Sequence, residues 1–207
     1  MRINPIYSVL LGDAVIPLAG FFFWDWSLYF ILLFYLIDLA SNEVFLHFKA
    51  RKIWEYQQEG KRNWLLSGIG SGLLAIAVIC AVHGALFFIE PGIRFGKESY
   101  AFWTYEELGV QQGYLLVPLV IFAGYQQYKM TFLMPGRFRS IRMEDLWKRQ
   151  HGIHVVLLGV VLLAVGIYAI YPVNPIVYVL AIVVARAIFT LRFGERLPTR
   201  PANPRRK

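Results

Sequence analysis

The chain has 207 residues, of which 57% are hydrophobic and 16% aromatic, while only 16% are charged. A soluble domain is usually about 45–50% apolar and about 25% charged, so this composition excludes an ordinary soluble globular protein. The net charge of +8 is carried at the ends of apolar runs. That placement is typical of membrane topology signals and argues against nucleic-acid binding. The sequence therefore predicts an integral membrane protein with a single domain.

Six apolar runs predict an all-α bundle of six transmembrane helices. A helix needs roughly 20 residues to cross a bilayer. The predicted spans are 3–23, 26–48, 64–89, 113–134, 151–171 and 176–193. Residues 1–195 form one transmembrane domain in this interpretation, and the proline-rich basic tail, residues 196–207, is expected to be disordered.

Three connecting segments carry further expectations. Trp24, Asp25 and Trp26 leave almost no loop between the first two runs, which predicts a tight antiparallel hairpin. The aromatic segment 90–112 is expected to be a loop that folds back on the membrane interface, either as a lid or as an aromatic belt that only anchors the chain. Residues 137–151 alternate basic and apolar side chains, which predicts a short helix lying on the membrane surface.

The positive charges predict the topology. Arg2, the cluster 49–62, the cluster 137–149 and the tail from Arg192 onward fall on one side of a six-helix arrangement. The other side has only Arg94 and Lys97. The positive-inside rule places both termini in the cytoplasm, where the basic clusters are expected to meet anionic lipid headgroups. No internal repeat is evident, so the inverted-repeat pattern of many secondary transporters is missing.

Ionisable residues inside the apolar runs are the first candidate site. Asp13, Asp38, His83 and Arg186 fall within the hydrocarbon slab, with Asn42 one turn after Asp38. A charge there costs on the order of 2.5–3.5 kcal/mol. Asp13 and Asp38 are at similar depth in the hairpin, and Arg186 either pairs with one of them or extends to the headgroups. The cluster is interpreted either as a proton or ion path or as a polar network that fixes helix packing.

Histidines near the cytoplasmic ends of the helices form a second constellation. His47 shares a helix face with Glu43, and His151 and His154 are three residues apart on another helix. Three histidines with Glu43 or Glu144 would suit zinc or iron and a metal-dependent lipid enzyme. The alternative is that these histidines only meet headgroups. Since an HxxH spacing is a weak signal, the sequence predicts no metal or haem cofactor.

Small residues mark two helix faces that allow close packing. These are Gly68 and Gly72 in the third run and, at seven-residue spacing, Gly152, Gly159 and Gly166 in the fifth. The single cysteine, Cys80, lies inside an apolar run and excludes an internal disulfide.

The N-terminal hairpin carries a resemblance. Its sequence is IPLAGFFFWDWSLYFILLFYLID, and AVHGALFF follows in the next helix. It resembles a bacterial family of multi-spanning membrane proteins of unknown function, over about the first 90 residues. The positions that carry the pattern are Pro17, Gly20, Trp26, Ser27, Tyr35, Asp38, His83 and Gly84, with aspartate at Asp38 where the family has glutamate. The resemblance implies a bacterial inner-membrane protein and adds weight to Asp38 and His83, but no activity.

Three functional hypotheses follow. The first is a membrane-embedded accessory subunit that docks on other membrane proteins, or on a second copy, through its glycine faces. The second is a small proton- or ion-coupled transporter or channel that uses Asp13, Asp38 and His83. The third is the metal-dependent lipid enzyme, and an enzyme is the least favoured class.

Overall fold

The computed structural model describes residues 15–57, 61–104, 106–107, 110–171, 174, 177–178, 181 and 184. The regular secondary structure of this part is helical apart from one pair of two-residue strands. The α-helices are α1 (15–23), α2 (Leu28–Gln57), α3 (Lys61–Ile89), α4 (Phe95–Thr104), α5 (Gln112–Gln127) and α6 (Met143–Ile170). A π-helical turn, Tyr128–Leu133, continues α5, and a 3-10 turn, Arg137–Arg139, follows it. Strands β1 (Glu106–Glu107) and β2 (Val110–Gln111) pair antiparallel.

Three helices are long and apolar enough to cross a membrane: α2, residues Trp64–Ile89 of α3, and α6. The predicted all-α class is confirmed, and so is the presence of helices with the length and composition of membrane spans. Large apolar side chains such as Leu66, Leu73 and Leu162 are at least 60% exposed, which suits contact with lipid. Residues 3–14, most of the predicted sixth span and the tail 196–207 lie outside the described residues.

Helix α2 is the central element, and three apolar clusters lie along it. We call the end that carries Lys49, Arg51 and Lys52 the basic end, and the end near Trp26 the tip end. At the tip end α2 packs on α4 and α5 through Trp26, Phe30, Ile31, Phe34, Phe102, Leu116 and Val120. In the middle it packs on α3 through Tyr29, Leu36, Leu39, Val78, Val82 and Leu86. At the basic end it packs on the start of α6 through Leu46, Ala50, Ile53, Phe132, Ile141, Met143, Leu146 and Trp147.

The connection between α1 and α2 is as short as predicted, because α1 ends at residue 23 and α2 begins at Leu28. The carbonyl oxygen of Gly20 accepts hydrogen bonds from the backbone amides of Trp24 (3.2 Å) and Trp26 (3.0 Å). Asp25 adopts a positive φ of 51° to make this turn. The indole of Trp26 is 3% exposed and covers Gly20, so this tryptophan is part of the packed interior.

The prediction that residues 90–112 form a loop is wrong. The segment contains helix α4 and the β-pair, and its Phe102 is fully buried with its ring centroid 4.6 Å from that of Phe30. Phe95, Ser99 and Phe102 recur at helical spacing and face the bundle. The aromatic residues that suggest an interfacial loop therefore include the inner face of a short helix.

The separate surface helix predicted for residues 137–151 is also wrong. Residues from Met143 onward are the first turns of α6, which runs without a break to Ile170. Leu146 and Trp147 are 4% and 3% exposed because they pack on α2 rather than on lipid headgroups. Helix α2 supplies that surface by extending to Gln57, past the predicted span end at residue 48.

Hydrogen bonds stabilise the region where the end of α2 meets the start of α6. The Gln57 amide nitrogen donates to the carbonyl oxygens of Phe138 (3.2 Å) and Ile141 (2.9 Å). Arg142 donates two hydrogen bonds to the Asp145 carboxylate, at 2.7 and 2.9 Å, across the first turn of α6. The hydrogen bonds and charge of Asp145 raise the pKa of the Arg142 guanidinium, which remains cationic at this end of the bundle.

Candidate functional site

A buried polar site lies where α2, α3 and α6 meet, between the middle and basic-end apolar clusters. Glu43 of α2 is 8% exposed, and His154 of α6 and Ser71 of α3 are fully buried. We call Glu43, His47, Gln150 and His154 the Glu43 cluster. Charged and polar groups in this setting are expensive unless partners satisfy them, so each contact of the carboxylate matters.

The Glu43 carboxylate lies between one amide and two imidazoles. Its Oε2 accepts a hydrogen bond of 2.9 Å from Nε2 of Gln150 and lies 3.7 Å from Nε2 of His154. Its Oε1 lies 3.8 Å from Nδ1 of His47 and has no hydrogen bond within the described part of the chain. Residues from two helices therefore converge on a single buried acid.

His47 connects this acid to the basic end. Its Nδ1 donates to the Glu43 carbonyl oxygen at 2.9 Å, as a neutral imidazole protonated on Nδ1 would. Its Nε2 faces Gly68, where an added Cβ would lie only 3.1 Å away, with Trp147 at 3.6 Å. The missing side chain at Gly68 thus makes room for His47. A Cβ at Gly72 would meet no described atom within 4 Å, so the two glycines have different surroundings.

His154 is the most enclosed member. The Gln150 amide lies 3.4 Å from its Nε2, which places the acceptor lone pair there and the ring proton on Nδ1. Nδ1 is buried and has no hydrogen-bond partner among the described residues, and the same holds for the Ser71 hydroxyl. Each unsatisfied buried group costs about 1–3 kcal/mol, and these two are among eight such side-chain atoms in the described residues.

Helix register brings Ser71 level with His154. Nε2 of His151 lies 3.3 Å from the Ser67 carbonyl oxygen, and the Tyr168 hydroxyl donates to the Ile89 carbonyl, so α3 and α6 run parallel. Ser71 is one turn beyond Ser67, and His154 is nearly one turn beyond His151. The Ser71 hydroxyl and Nδ1 of His154, neither of which has a hydrogen-bond partner among the described residues, therefore lie at the same level of the bundle.

The histidines do not gather as a metal site. His47 and His154 flank Glu43, whereas His151 points to a backbone carbonyl and Glu144 is exposed at the start of α6. Within the described residues, no group of three His, Cys, Asp or Glu side chains has the arrangement needed to hold a metal ion. The chemistry available to the Glu43 cluster is proton binding by a carboxylate and two imidazoles.

Of the mid-membrane residues predicted as an ion path, the ionisable ones that the structure describes, Asp38 and His83, lie apart. Asp13 and Arg186 lie outside the described residues. Asp38 and Asn42 are half-buried on α2, and His83 contacts Tyr29, nine residues before Asp38. That separation is about 13 Å along a helix axis, so Asp38 and His83 lie at different depths.

The glycine stripe of α6 faces open space. A Cβ added at Gly152, Gly159 or Gly166 would meet no described atom within 4 Å. Helix α6 packs on α3 through other residues, among them Leu157, Leu158 and Val161. The stripe therefore takes no part in packing within the described bundle.

The chain matches no protein-family model, no curated protein and no solved structure. The resemblance of residues 1–90 to a bacterial family stays a prediction. The geometry of the Glu43 cluster is therefore the main guide to function.

Proposed function

We propose that this protein is a small proton-coupled transporter or channel in which Glu43 and His154 bind and release the proton. The observation that carries the proposal is a buried carboxylate 3.7 Å from a fully buried imidazole inside an apolar helix pair. Ionisable residues within membrane-spanning segments are expensive and typically mark proton relays or ion paths. Here two protonatable groups share one buried position.

The contacts support a defined change on protonation. In the neutral imidazole, Gln150 donates to both Glu43 (2.9 Å) and His154 (3.4 Å). A proton arriving at Nε2 of His154 makes an imidazolium beside the carboxylate, and the pair is then net neutral. The Gln150 amide must give up the bond to His154 when that happens. Binding one proton thus changes the hydrogen bonds that connect α6 to α2.

Exposure decreases stepwise into the site. The His47 side chain is 39% exposed, the Glu43 side chain 10%, and the His154 side chain is fully buried. His47 lies 3.8 Å from Oε1 of Glu43 and one helical turn nearer the basic end. It is positioned to exchange protons between that aqueous side and the buried pair.

The proposed topology has six spans, both termini in the cytoplasm and the basic end facing anionic lipid of a bacterial inner membrane. Three apolar helices support it, as does the unbroken helical backbone from residue 112 to 133, which corresponds to the predicted fourth span. Exposed cations at the basic end include Arg51 and Arg142. The resemblance of the N-terminal hairpin is the support for a bacterial membrane.

The test is the substitution Glu43→Gln, which keeps an oxygen for Gln150 and removes the carboxylate. We expect a pH-induced infrared difference spectrum of the wild type to contain a carboxylate band, shifted as the neighbouring His154 binds a proton, that this variant lacks. Proton flux into liposomes under an imposed potential should fall at least about tenfold, since proton-relay carboxylates are not replaced by amides.

The matched control is Glu144→Gln, because Glu144 is an exposed carboxylate on the same helix as His154. Its spectrum and flux should equal those of the wild type. The proposal fails if the Glu43→Gln difference spectrum and flux are indistinguishable from the wild type.

A second candidate is the accessory subunit, supported by the open glycine stripe of α6. A membrane partner, or a second copy of the chain, would pack against Gly152, Gly159 and Gly166. Purification in mild detergent should then give a stoichiometric complex, and Gly159→Leu should release the partner. A monomer that co-elutes with no other protein would contradict this role.

A further inference from the structure

We propose that His83, Tyr29 and Ser99 form a second proton-exchange site at the tip end, separated from the Glu43 cluster by the apolar side chains of Leu36, Leu39 and Val78. The inference rests on the proposed function, which it extends from one proton site to two. It assigns a role to His83 and to helix α4, which the sequence did not predict.

The three side chains form a continuous hydrogen-bonded line. The Tyr29 hydroxyl lies 3.0 Å from Oγ of Ser99 and 3.4 Å from Nε2 of His83. Nδ1 of His83 lies 2.8 Å from the Ile79 carbonyl oxygen and must donate its proton there. Nε2 is therefore the acceptor, and this sets the direction of the hydrogen bonds: Ser99 donates to Tyr29, and Tyr29 donates to His83.

The surroundings restrict access to this line. Tyr29 is 3% exposed, and the His83 ring packs against Tyr29 and Phe95, with centroids 5.7 and 5.1 Å away. Ser99 is half-buried on α4. His83 is half-buried as well, and among the described contacts the Ser99 and Tyr29 hydroxyls form a polar route to its Nε2.

The groups around His83 come from several elements. Helix α2 presents the Tyr29 hydroxyl, the one titratable group with a described contact to the ring. Helix α4 carries Glu98 next to Ser99, and the Glu98 carboxylate accepts a hydrogen bond of 3.2 Å from the exposed Ser27 hydroxyl. Glu90 lies on the segment after α3 and is exposed, and α6 contributes apolar side chains to this seam.

Proton transfer along the line balances without any further reactant. A hydronium ion gives a proton to Oγ of Ser99, and the proton already on Ser99 moves to the Tyr29 oxygen. The Tyr29 proton moves to Nε2 of His83. The products are water and an imidazolium, and both hydroxyls are intact afterwards. Histidine suits this role because its charge changes near neutral pH.

An apolar layer separates the two sites. Tyr29 and Glu43 are fourteen residues apart on α2, or about 21 Å along the axis. Between them the seam is filled by buried Leu36, Leu39 and Val78. Apolar constrictions in membrane proteins gate by dewetting, so while this layer is closed each site should exchange protons with its own side of the membrane.

The decisive experiment is solid-state NMR of ¹⁵N-histidine-labelled protein in liposomes whose inner and outer pH are set independently. The variant His83→Gln identifies the His83 signals. We expect the protonation of His83 to respond to the pH at the tip side. His47 should follow the pH at the basic side. The inference is overturned if His83 does not titrate or if it follows the basic side.

The matched variant is Tyr29→Phe, which keeps the ring and removes the hydroxyl that joins Ser99 to His83. Proton flux in this variant should fall at least tenfold, while Tyr114→Phe, at a 62% exposed tyrosine of α5, should leave it unchanged. If Glu43→Gln abolishes flux and Tyr29→Phe does not alter it, the second site fails and the proposed function stands. If His83 responds to tip-side pH while Glu43 gives no infrared band, the proposed function fails instead.

Discussion

Replacing Gly113 by alanine is expected to destabilise the junction of α4 and α5 severely. A Cβ at this position would lie 2.5 Å from the Phe102 carbonyl oxygen and 2.8 Å from Cα of Trp103. Both are backbone atoms, so no side-chain rotation relieves the overlap. Overpacking typically costs about 1–3 kcal/mol, which corresponds to a fall of roughly 2–12 °C in unfolding midpoint for a chain of this size.

Thermal unfolding in detergent, followed by circular dichroism, measures this effect. Gly159→Ala is the matched control because a Cβ there meets no described atom within 4 Å. It should unfold at or slightly above the wild-type temperature, since alanine favours a helix over glycine. Equal midpoints for the two variants would contradict the packing seen at Gly113.

Replacing Glu43 by alanine is expected to cost more stability than replacing it by glutamine. Alanine leaves the Gln150 amide without its 2.9 Å acceptor and the buried His154 without its carboxylate neighbour. A buried polar group left without its hydrogen-bond partner typically costs about 1–3 kcal/mol. Glutamine at this position retains an oxygen for Gln150 and should lose much less.

The same unfolding measurement distinguishes the two variants, with Glu144→Ala as the exposed control. The expected order of midpoints is wild type and Glu144→Ala together, then Glu43→Gln, then Glu43→Ala. An unfolding midpoint for Glu43→Ala equal to that of Glu144→Ala would show that Glu43 does not stabilise the helix junction.

The apolar runs predict the helical class and the approximate positions of α2, α3 and α5 because hydropathy over 20 residues is a strong local signal. They do not predict α4, whose Phe102 is buried only because α2 and α5 lie around it. Basic residues interrupt the apolar pattern at the start of α6, so hydropathy does not show where this helix begins. Leu146, Gln150 and His154 nevertheless recur every four residues, a helical spacing that continues into the apolar run.

The candidate site was only partly predictable for a related reason. With α2 expected to end near residue 48, Asp38 appears central and Glu43 appears close to the headgroups. The helix runs to Gln57, so Glu43 lies near its middle and is more buried than Asp38. The shared face of Glu43 and His47 is visible in the sequence. Their meeting with Gln150 and His154 depends on tertiary packing, which no local pattern encodes.

The π-helical turn after α5 has a geometric consequence for how that helix meets α2. One series of residues in this helix is spaced four residues apart: Leu116, Val120, Gly124, Tyr128 and Phe132. In a helix of 3.6 residues per turn such a series advances about 40° at every step and would wind away from its neighbour. The wider turn at Tyr128–Leu133, closed by the hydrogen bond from the Met134 amide to the Lys129 carbonyl, turns less per residue and cancels part of that advance. Phe132 therefore still points into the basic-end cluster. The π-helical turn thus keeps the residues before it and after it on the side of the helix that contacts α2.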